Sequence, residues 1–395
     1  YLSARKERRD LLLSQRPPRF DESLDSMISR SEDDFTRIAL KAKAAQDYFL
    51  LIGPPGTGKT SCALKKMVET FHADKDAQIL LLSYTNRAVD EICKSLASIA
   101  PAVDFIRVGS ELSCDEAYRG HLIENELSSC NRRSEVYERI RNCRIIVGTV
   151  AAISGKPELF RLKHFDVAII DEATQILEPQ LLGILCARGE DGKDAIDKFV
   201  LIGDHKQLPA VVQQNTEQSA IYDESLLSIG LTNLKDSLFE RLYRNCTATV
   251  HRSYDMLCRQ GRMHPEVALF ANRAFYGGRL IPVGLPHQIE SSDTICRLAF
   301  YPSVPEKAGA SAKINYSEAR IVADLAVRIY EDHQTDFDES RTLGIITPYR
   351  SQIALIKKEI ESLGIPALNR ILVDTVERFQ GSERDVIIYS FCVNY

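Results

Sequence analysis

The sequence predicts an α/β fold of mainly parallel sheets, in two domains in series, and three observations carry that prediction. From Phe49 to about Asp204, short β-rich runs at 49–52, 79–84, 144–149, 167–170 and 199–202 alternate with helical patterns, the rhythm of βαβ units. A second alternation follows, with a helix over Glu318 to Tyr330, a strand at 343–347, a helix at 351–363 and strands at 371–376 and 386–391. The first run, Phe49-Leu50-Leu51-Ile52, leads directly into Gly53-Pro54-Pro55-Gly56-Thr57-Gly58-Lys59-Thr60, a glycine-rich pattern on a strand-to-helix turn.

The elements follow in order. Residues 1–34 are charged and contain Pro17-Pro18, which reads as an accessory helix and linker with Lys6, Arg8 and Arg9 on a solvated face. The first domain is expected over 35–245. Its glycine-rich loop lets backbone N–H groups approach phosphates, its Lys59 can reach the β and γ oxygens, and its Thr60 hydroxyl suits Mg²⁺. Ser61 continues that loop into a helix on which Leu64, Met67, Val68 and Phe71 recur at helical spacing, so a helix N-terminus faces the phosphates. Residues 111–143, rich in Glu, Arg and Ser, interrupt the β/α rhythm as a helical insertion. The changeover falls near residues 243–260, and the second domain is expected over 246–395. The chain opens on Tyr1 rather than Met and closes at Tyr395 soon after an apparent strand, so both ends read as cuts.

Composition narrows the class. At 395 residues, 44% hydrophobic and 27% charged, the chain is long enough for two sizeable cores. No apolar run reaches the length of a membrane span and the first residues lack a signal-peptide core, which points to an intracellular protein of cytoplasm or nucleus with no membrane partner. Ten cysteines without a Cys-x-x-Cys pair suggest neither a zinc site nor a disulfide framework. The net charge of −5 argues against bulk attraction to a polyanion, so any polynucleotide must be held in a local groove.

The buried run Val167-Ala168-Ile169-Ile170 ends in Asp171-Glu172-Ala173-Thr174-Gln175. Ligands of open α/β sheets sit at the carboxyl ends of strands. Asp171 is therefore placed to hold Mg²⁺, and Glu172 to orient and deprotonate an attacking water. The next run, Phe199-Val200-Leu201-Ile202, ends in Gly203-Asp204-His205-Lys206-Gln207-Leu208-Pro209. In this order the glycine-rich loop, Asp-Glu-Ala-Thr-Gln and Gly-Asp-His-Lys-Gln-Leu-Pro closely resemble motifs I, II and III of superfamily 1 helicases. The branch resembled is that of the nonsense-mediated-decay, senataxin-type and Okazaki-fragment helicases.

Further stretches extend the resemblance from about residue 48 to 391. Leu82 to Asp90 and Ile146 to Thr149 resemble nucleic-acid-contacting motifs, Gln260-Gly261-Arg262-Met263-His264-Pro265 resembles motif IV, Ile346 to Arg350 the strand motif after it, and Val373 to Glu383 motif V. The resemblance implies two RecA-like P-loop NTPase domains, ATP and Mg²⁺ as cofactors, and single-stranded DNA or RNA as partner. It implies an ATP-dependent helicase or translocase, with ATP in the cleft between the domains and 5′-to-3′ travel. It casts Gln207 as a γ-phosphate sensor, and Gly381 and Glu383 as nucleotide contacts from the second domain. Arg262 is the candidate finger from that domain, since a guanidinium is always charged and forks onto phosphate oxygens. Thr85, Asn86, Thr149, Pro348 and Thr375 fall at strand ends, where they can hold phosphates and sugars. Tyr84, Tyr349 and Phe379 are candidate base-stacking residues, with core packing the stronger reading for Phe379.

Two positions depart from the family. No Gln lies near Phe35, where the family reads the adenine edge, and Gly261 stands where an aromatic often precedes the motif IV arginine. The family's motif VI arginine follows motif V, and this chain ends before it, so the second domain is expected to be incomplete. The competing class is a nucleotide-gated clamp or scaffold that grips nucleic acid without unwinding it.

Overall fold

The computed structural model describes residues 5–248, 252–289, 297–305 and 313–392, and it divides into two compact units, Tyr1–Glu290 and Ser291–Tyr395. In the first unit, seven strands among the described residues form one sheet: β1 (Tyr48–Ile52), β2 (Ile79–Ser83), β3 (Phe105–Val108), β4 (Ile145–Thr149), β5 (Phe165–Ile170), β6 (Ile196–Gly203) and β7 (Tyr254–Met256). Their order across the sheet is β3-β4-β2-β5-β6-β1-β7, and every pairing is parallel.

Parallel neighbours need long crossovers, and helical crossovers cover both faces of a sheet. That is why these strands are apolar without interruption: β1, β2 and β4 are buried at every residue. Phe49, Leu51, Ile79, Leu81, Val147, Ile169 and Ile202 pack on one face against helical Leu64, Met67, Ile92 and Leu96. Their neighbours Leu50, Ile52, Leu80, Leu82, Ile170 and Leu201 pack on the other against Leu181, Leu185, Phe239 and Leu242. Truncating a fully buried leucine such as Leu50 or Leu81 to alanine is expected to cost about 2–5 kcal/mol.

The same parallel arrangement collects the strand carboxyl ends at one edge. Ile52 pairs with Gly203, Ser83 with Thr149 and Leu82 with Ile170, so the loops after β1, β2, β4, β5 and β6 all emerge together. A short parallel pair, β8 (Arg259–Gln260) with β9 (Ile281–Pro282), flanks the helix Pro265–Tyr276.

The second unit carries β10 (Leu343–Ile346), β11 (Leu372–Asp374) and β12 (Val386–Tyr389) in a parallel sheet of order β11-β10-β12. Ala319, Val322 and Ala326 of the helix Tyr316–Asp332, and Ile356 and Ile360 of the helix Arg350–Ser362, share one core with Leu343, Ile345 and Val373.

Three features differ from the sequence expectations. The changeover expected at 245/246 lies at 290/291, because β7 pairs with β1 through Leu50↔Tyr254 and Ile52↔Met256, and Tyr276 and Leu280 join the first core. A three-residue strand with Asp255 at its centre leaves no apolar run to recognise. The segment 1–34 is partly core: Leu11 and Leu12 are buried, and Arg8 is no solvated residue but is 5% exposed, donating to the carbonyls of Ile196 (2.5 Å) and Asp197 (2.8 Å). The strand β3 had no separate signal, since Arg107 interrupts its apolar pattern; the side chain is buried and paired with Asp90. Residues 111–143 form short helical pieces ending in the helix Arg133–Asn142.

Candidate active site

The loop after β1 is shaped by its glycines. Gly56 and Gly58 have φ of 73° and 74°, a left-handed conformation that costs glycine least. A Cβ on Gly56 would lie 2.4 Å from Cβ of Arg262, and one on Gly53 would lie 2.7 Å from Cβ of Lys59. The loop start is tied to the end of β6, where Gly53 N–H donates to the Gly203 carbonyl (2.9 Å). Thr57 is buried and donates through Oγ1 to the Pro54 carbonyl (2.7 Å), a bond internal to the loop. The chain then turns into a π-helical turn over Lys59–Leu64 that exposes Ser61.

Four side chains from the ends of two strands meet here. Lys59 Nζ lies 2.6 Å from Glu172 Oε1, and Thr60 Oγ1 donates to Asp171 Oδ2 (2.6 Å). Glu172 has φ of 53°, rare for a residue with a Cβ, and Gln175 Nε2 donates to its Oε2 (2.9 Å). Strain of this kind costs on the order of 1–3 kcal/mol and persists where the surroundings over-determine it, most often at functional sites.

The electrostatics follow from burial with incomplete pairing. Asp171 is 1% exposed, and its carboxyl is pushed up to about 6, first by burial and then by the charge of Glu172, against the opposing pull of Lys59 and the Thr60 hydroxyl. For Lys59, burial alone would lower the pKa. The carboxylates of Glu172, Asp171 and Asp204 outweigh it, so the ammonium titrates above its ordinary value and stays charged. Two acids sharing one lysine leave surplus negative charge at a strand end, beside a hydroxyl. Those donors fit a divalent cation held by Thr60 and Asp171, and the backbone N–H groups of the glycine loop fit a polyphosphate.

Gln207 joins this group from the loop after β6. Its Nε2 donates to Asp204 Oδ2 (2.8 Å) and lies 3.5 Å from the Gly53 carbonyl oxygen. Arg262 is also here, and this corrects its expected position: it belongs to the first unit, not to a second domain facing it. Gly261 N–H donates to the Gly56 carbonyl (2.8 Å), and the buried Gln260 fixes the turn by accepting from Arg262 N–H (3.0 Å) and Met263 N–H (2.8 Å). With Tyr254–Met256 recruited to the first sheet, the segment that follows is delivered to the phosphate loop of the same unit.

The expected nucleic-acid residues divide between the units. Thr85 and Thr149 follow β2 and end β4 at the shared edge of the first sheet, and both hydroxyls cap helices, accepting from Ala88 N–H (3.2 Å) and Ala152 N–H (3.1 Å). Asn86 opens the helix behind Thr85, and Tyr84 is exposed. In the second unit, Pro348 and Tyr349 follow β10 and Thr375 follows β11, with Thr347 N–H donating to the Asp374 carbonyl (3.2 Å). Phe379 is buried, in keeping with core packing, while Gly381 and Glu383 lie in the loop before β12. Sequence reasoning did not single out Asp204, Gln260 or Tyr276. Asp204 and Gln260 lay within quoted motifs, but no sequence signal marks Tyr276, whose partner is 72 residues away.

A phosphate loop, an adjacent acid pair and a glutamine at the carboxyl edge of a parallel sheet define the P-loop NTPase class. One AAA domain model matches residues 30–133 and 123–215, and a second AAA domain model matches 234–394. The chain belongs to the superfamily 1 helicases, in the branch that includes the DNA2 and senataxin-type proteins. It is 28% identical over 442 residues to the DNA replication ATP-dependent helicase/nuclease DNA2 of Homo sapiens, covering 98% of this chain and 37% of that protein. It is 24% identical over 442 residues to the DNA polymerase alpha-associated DNA helicase A of Saccharomyces cerevisiae, covering 93% of this chain and 61% of that protein. The chain thus spans 37% of the DNA2 protein and 61% of the yeast helicase, less than two thirds of either. Among solved structures, the arterivirus nonstructural protein 10 helicase with DNA overlaps 86% of this chain and 61% of its own, at a TM-score of 0.39 and 15% identity. No helix among the described residues is long and apolar enough to cross a membrane.

Proposed function

We propose that this chain is the motor portion of an ATP-dependent helicase or translocase that travels 5′-to-3′ on single-stranded nucleic acid, with Mg²⁺ as the metal. One observation carries the reading: Lys59 is paired with Glu172, and Thr60 with Asp171, across the ends of two strands. Bound Mg·ATP supplies the electrophilic γ-phosphorus and the leaving group. Lys59 transfers its contact from Glu172 to phosphate oxygens, which frees the Glu172 carboxylate to orient a water and accept its proton. Thr60 and Asp171 hold the metal, the backbone N–H groups of 56–60 hold phosphate oxygens, and Gln207 donates toward the γ-phosphate. Arg262, seated on Gly56, adds positive charge from the loop's own side, while Gly381 and Glu383 are candidate contacts of the second unit.

For the strand, Thr85, Asn86 and Thr149 are the proposed phosphate and sugar contacts of the first unit, and Pro348, Tyr349 and Thr375 those of the second. The relatives named above are DNA helicases, which favours DNA over RNA. The test is the full-length protein carrying this chain, assayed for ATP hydrolysis and strand displacement with single-stranded DNA and RNA tails side by side. Stimulated hydrolysis with displacement on a 5′ tail is expected. Slow hydrolysis without displacement would instead establish the clamp.

A further inference from the structure

Asp204 is 1% exposed at the end of β6, and its Oδ2 accepts two hydrogen bonds, from Gln207 Nε2 (2.8 Å) and from the phenol of Tyr276 (2.7 Å). Its Oδ1 accepts from Lys206 N–H (3.0 Å). Tyr276 is 5% exposed and is the last residue of the helix Pro265–Tyr276. The chain just before that helix is bound to the phosphate loop, through Gly261 N–H on the Gly56 carbonyl (2.8 Å). Gln260 clamps the intervening turn, donating through Nε2 to the Met263 carbonyl (2.7 Å), and Gln288 donates to that carbonyl as well (3.0 Å). One helix of 12 residues, about 18 Å long, therefore runs from a turn that is bonded to the phosphate loop to Tyr276, which is bonded to Asp204.

From this juxtaposition we infer that Tyr276 is a positioning residue for ATP turnover: its hydroxyl fixes the Asp204 carboxyl, which in turn aims the amide of Gln207. The phenol and Gln207 on one carboxyl oxygen, with Lys206 N–H on the other, hold the group in one rotamer, and among the described residues Gln207 Nε2 takes its direction from that oxygen and the more distant Gly53 carbonyl. With the phenol gone, the carboxyl turns and the glutamine amide loses its anchor. Burial and the neighbouring Asp204 raise the pKa of Tyr276, so the hydroxyl keeps its proton and remains a donor at every working pH.

The inference rests on the ATPase reading above, and the experiment separates the two. ATP hydrolysis is measured in the full-length protein for wild type, Tyr276→Phe, Gln207→Ala and the double variant, with thermal melting alongside. Tyr276→Phe keeps the ring and its packing. It is expected to lower kcat about tenfold with KM for ATP within twofold of wild type, and the double variant is expected to match Gln207→Ala alone. Asp204→Asn serves as a second variant and is expected to show the same non-additivity with Gln207→Ala. If the fold losses of Tyr276→Phe and Gln207→Ala multiply in the double variant, or if Tyr276→Phe turns over like wild type, the inference is wrong while the ATPase reading stands. If wild type itself hydrolyses no ATP, both are wrong.

Discussion

Asp47 and Asp171 are both buried aspartates on the first sheet, one at the amino edge and one at the carboxyl edge, and their acidities move in opposite directions. Asp47 precedes β1 and is 3% exposed; Asp171 follows β5 and is 1% exposed. Burial pushes both upward. At Asp47 two guanidinium groups overturn that effect: Arg16 donates to both oxygens (2.9 and 2.8 Å), and Arg19 adds its backbone N–H (2.7 Å) and side chain (2.9 Å). The carboxyl is held well below the usual carboxylate range. At Asp171 the compensation is one hydroxyl, one backbone N–H and a lysine shared with Glu172, and the carboxyl stays near 6. At the amino edge the Asp47 carboxylate is fully compensated and ties residues 16–19 to the sheet. The carboxyl edge is left short of positive charge, which is the condition a metal and a nucleotide can relieve.

Lys59→Ala removes the lysine that faces both acids and is expected to lower ATP hydrolysis at least about a thousandfold, read by steady-state phosphate release. Retained turnover would remove the phosphate loop from the chemistry. Glu172→Gln keeps the shape of the site and is expected to bind ATP while hydrolysing it roughly 10²–10⁴-fold more slowly, read by nucleotide-binding fluorescence beside phosphate release.

At the other edge the expected change is in stability. Asp47→Asn leaves Arg16 and Arg19 without their carboxylate and is expected to destabilise the fold by about 1–3 kcal/mol in denaturant titration, with kcat per folded molecule unchanged. Because the folded Asp47 is more acidic than the unfolded one, its contribution is present above about pH 4 and is lost as pH falls below it.

Asp171 has the opposite sign. The unfolded acid loses its proton near pH 4 and the folded one near 6, so the ligand-free fold loses stability as pH rises through that window, by roughly 3 kcal/mol. Asp171→Asn is therefore expected to flatten the pH dependence of melting between about 4 and 6 and to raise ligand-free stability at pH 7. A variant melting profile with an unchanged slope would place the raised pKa on another group.

The parts of this contrast that could be read from the sequence are the local ones. A strand of four apolar residues followed by glycines and Lys59, or by Asp171-Glu172, is written in consecutive positions, and hydrophobic period plus turn chemistry suffices to place it. The rest depends on partners far along the chain. Arg8 reads as a surface cation, yet two carbonyls near residue 196 accept from it inside the fold. The β7 strand is three residues with an acid at the centre, so only its pairing with β1 reveals that Arg262 serves the first unit. Tyr276 resembles any helix-terminal aromatic until Asp204 is brought beneath it.

The most direct test of the contrast is single-turnover ATP hydrolysis by full-length Glu172→Gln and Asp47→Asn, each scored per molecule that binds nucleotide. The account predicts that Glu172→Gln holds ATP and leaves it intact, while Asp47→Asn melts earlier yet hydrolyses at the wild-type rate. Hydrolysis by Glu172→Gln at near wild-type rate, or its loss in folded Asp47→Asn, would contradict it.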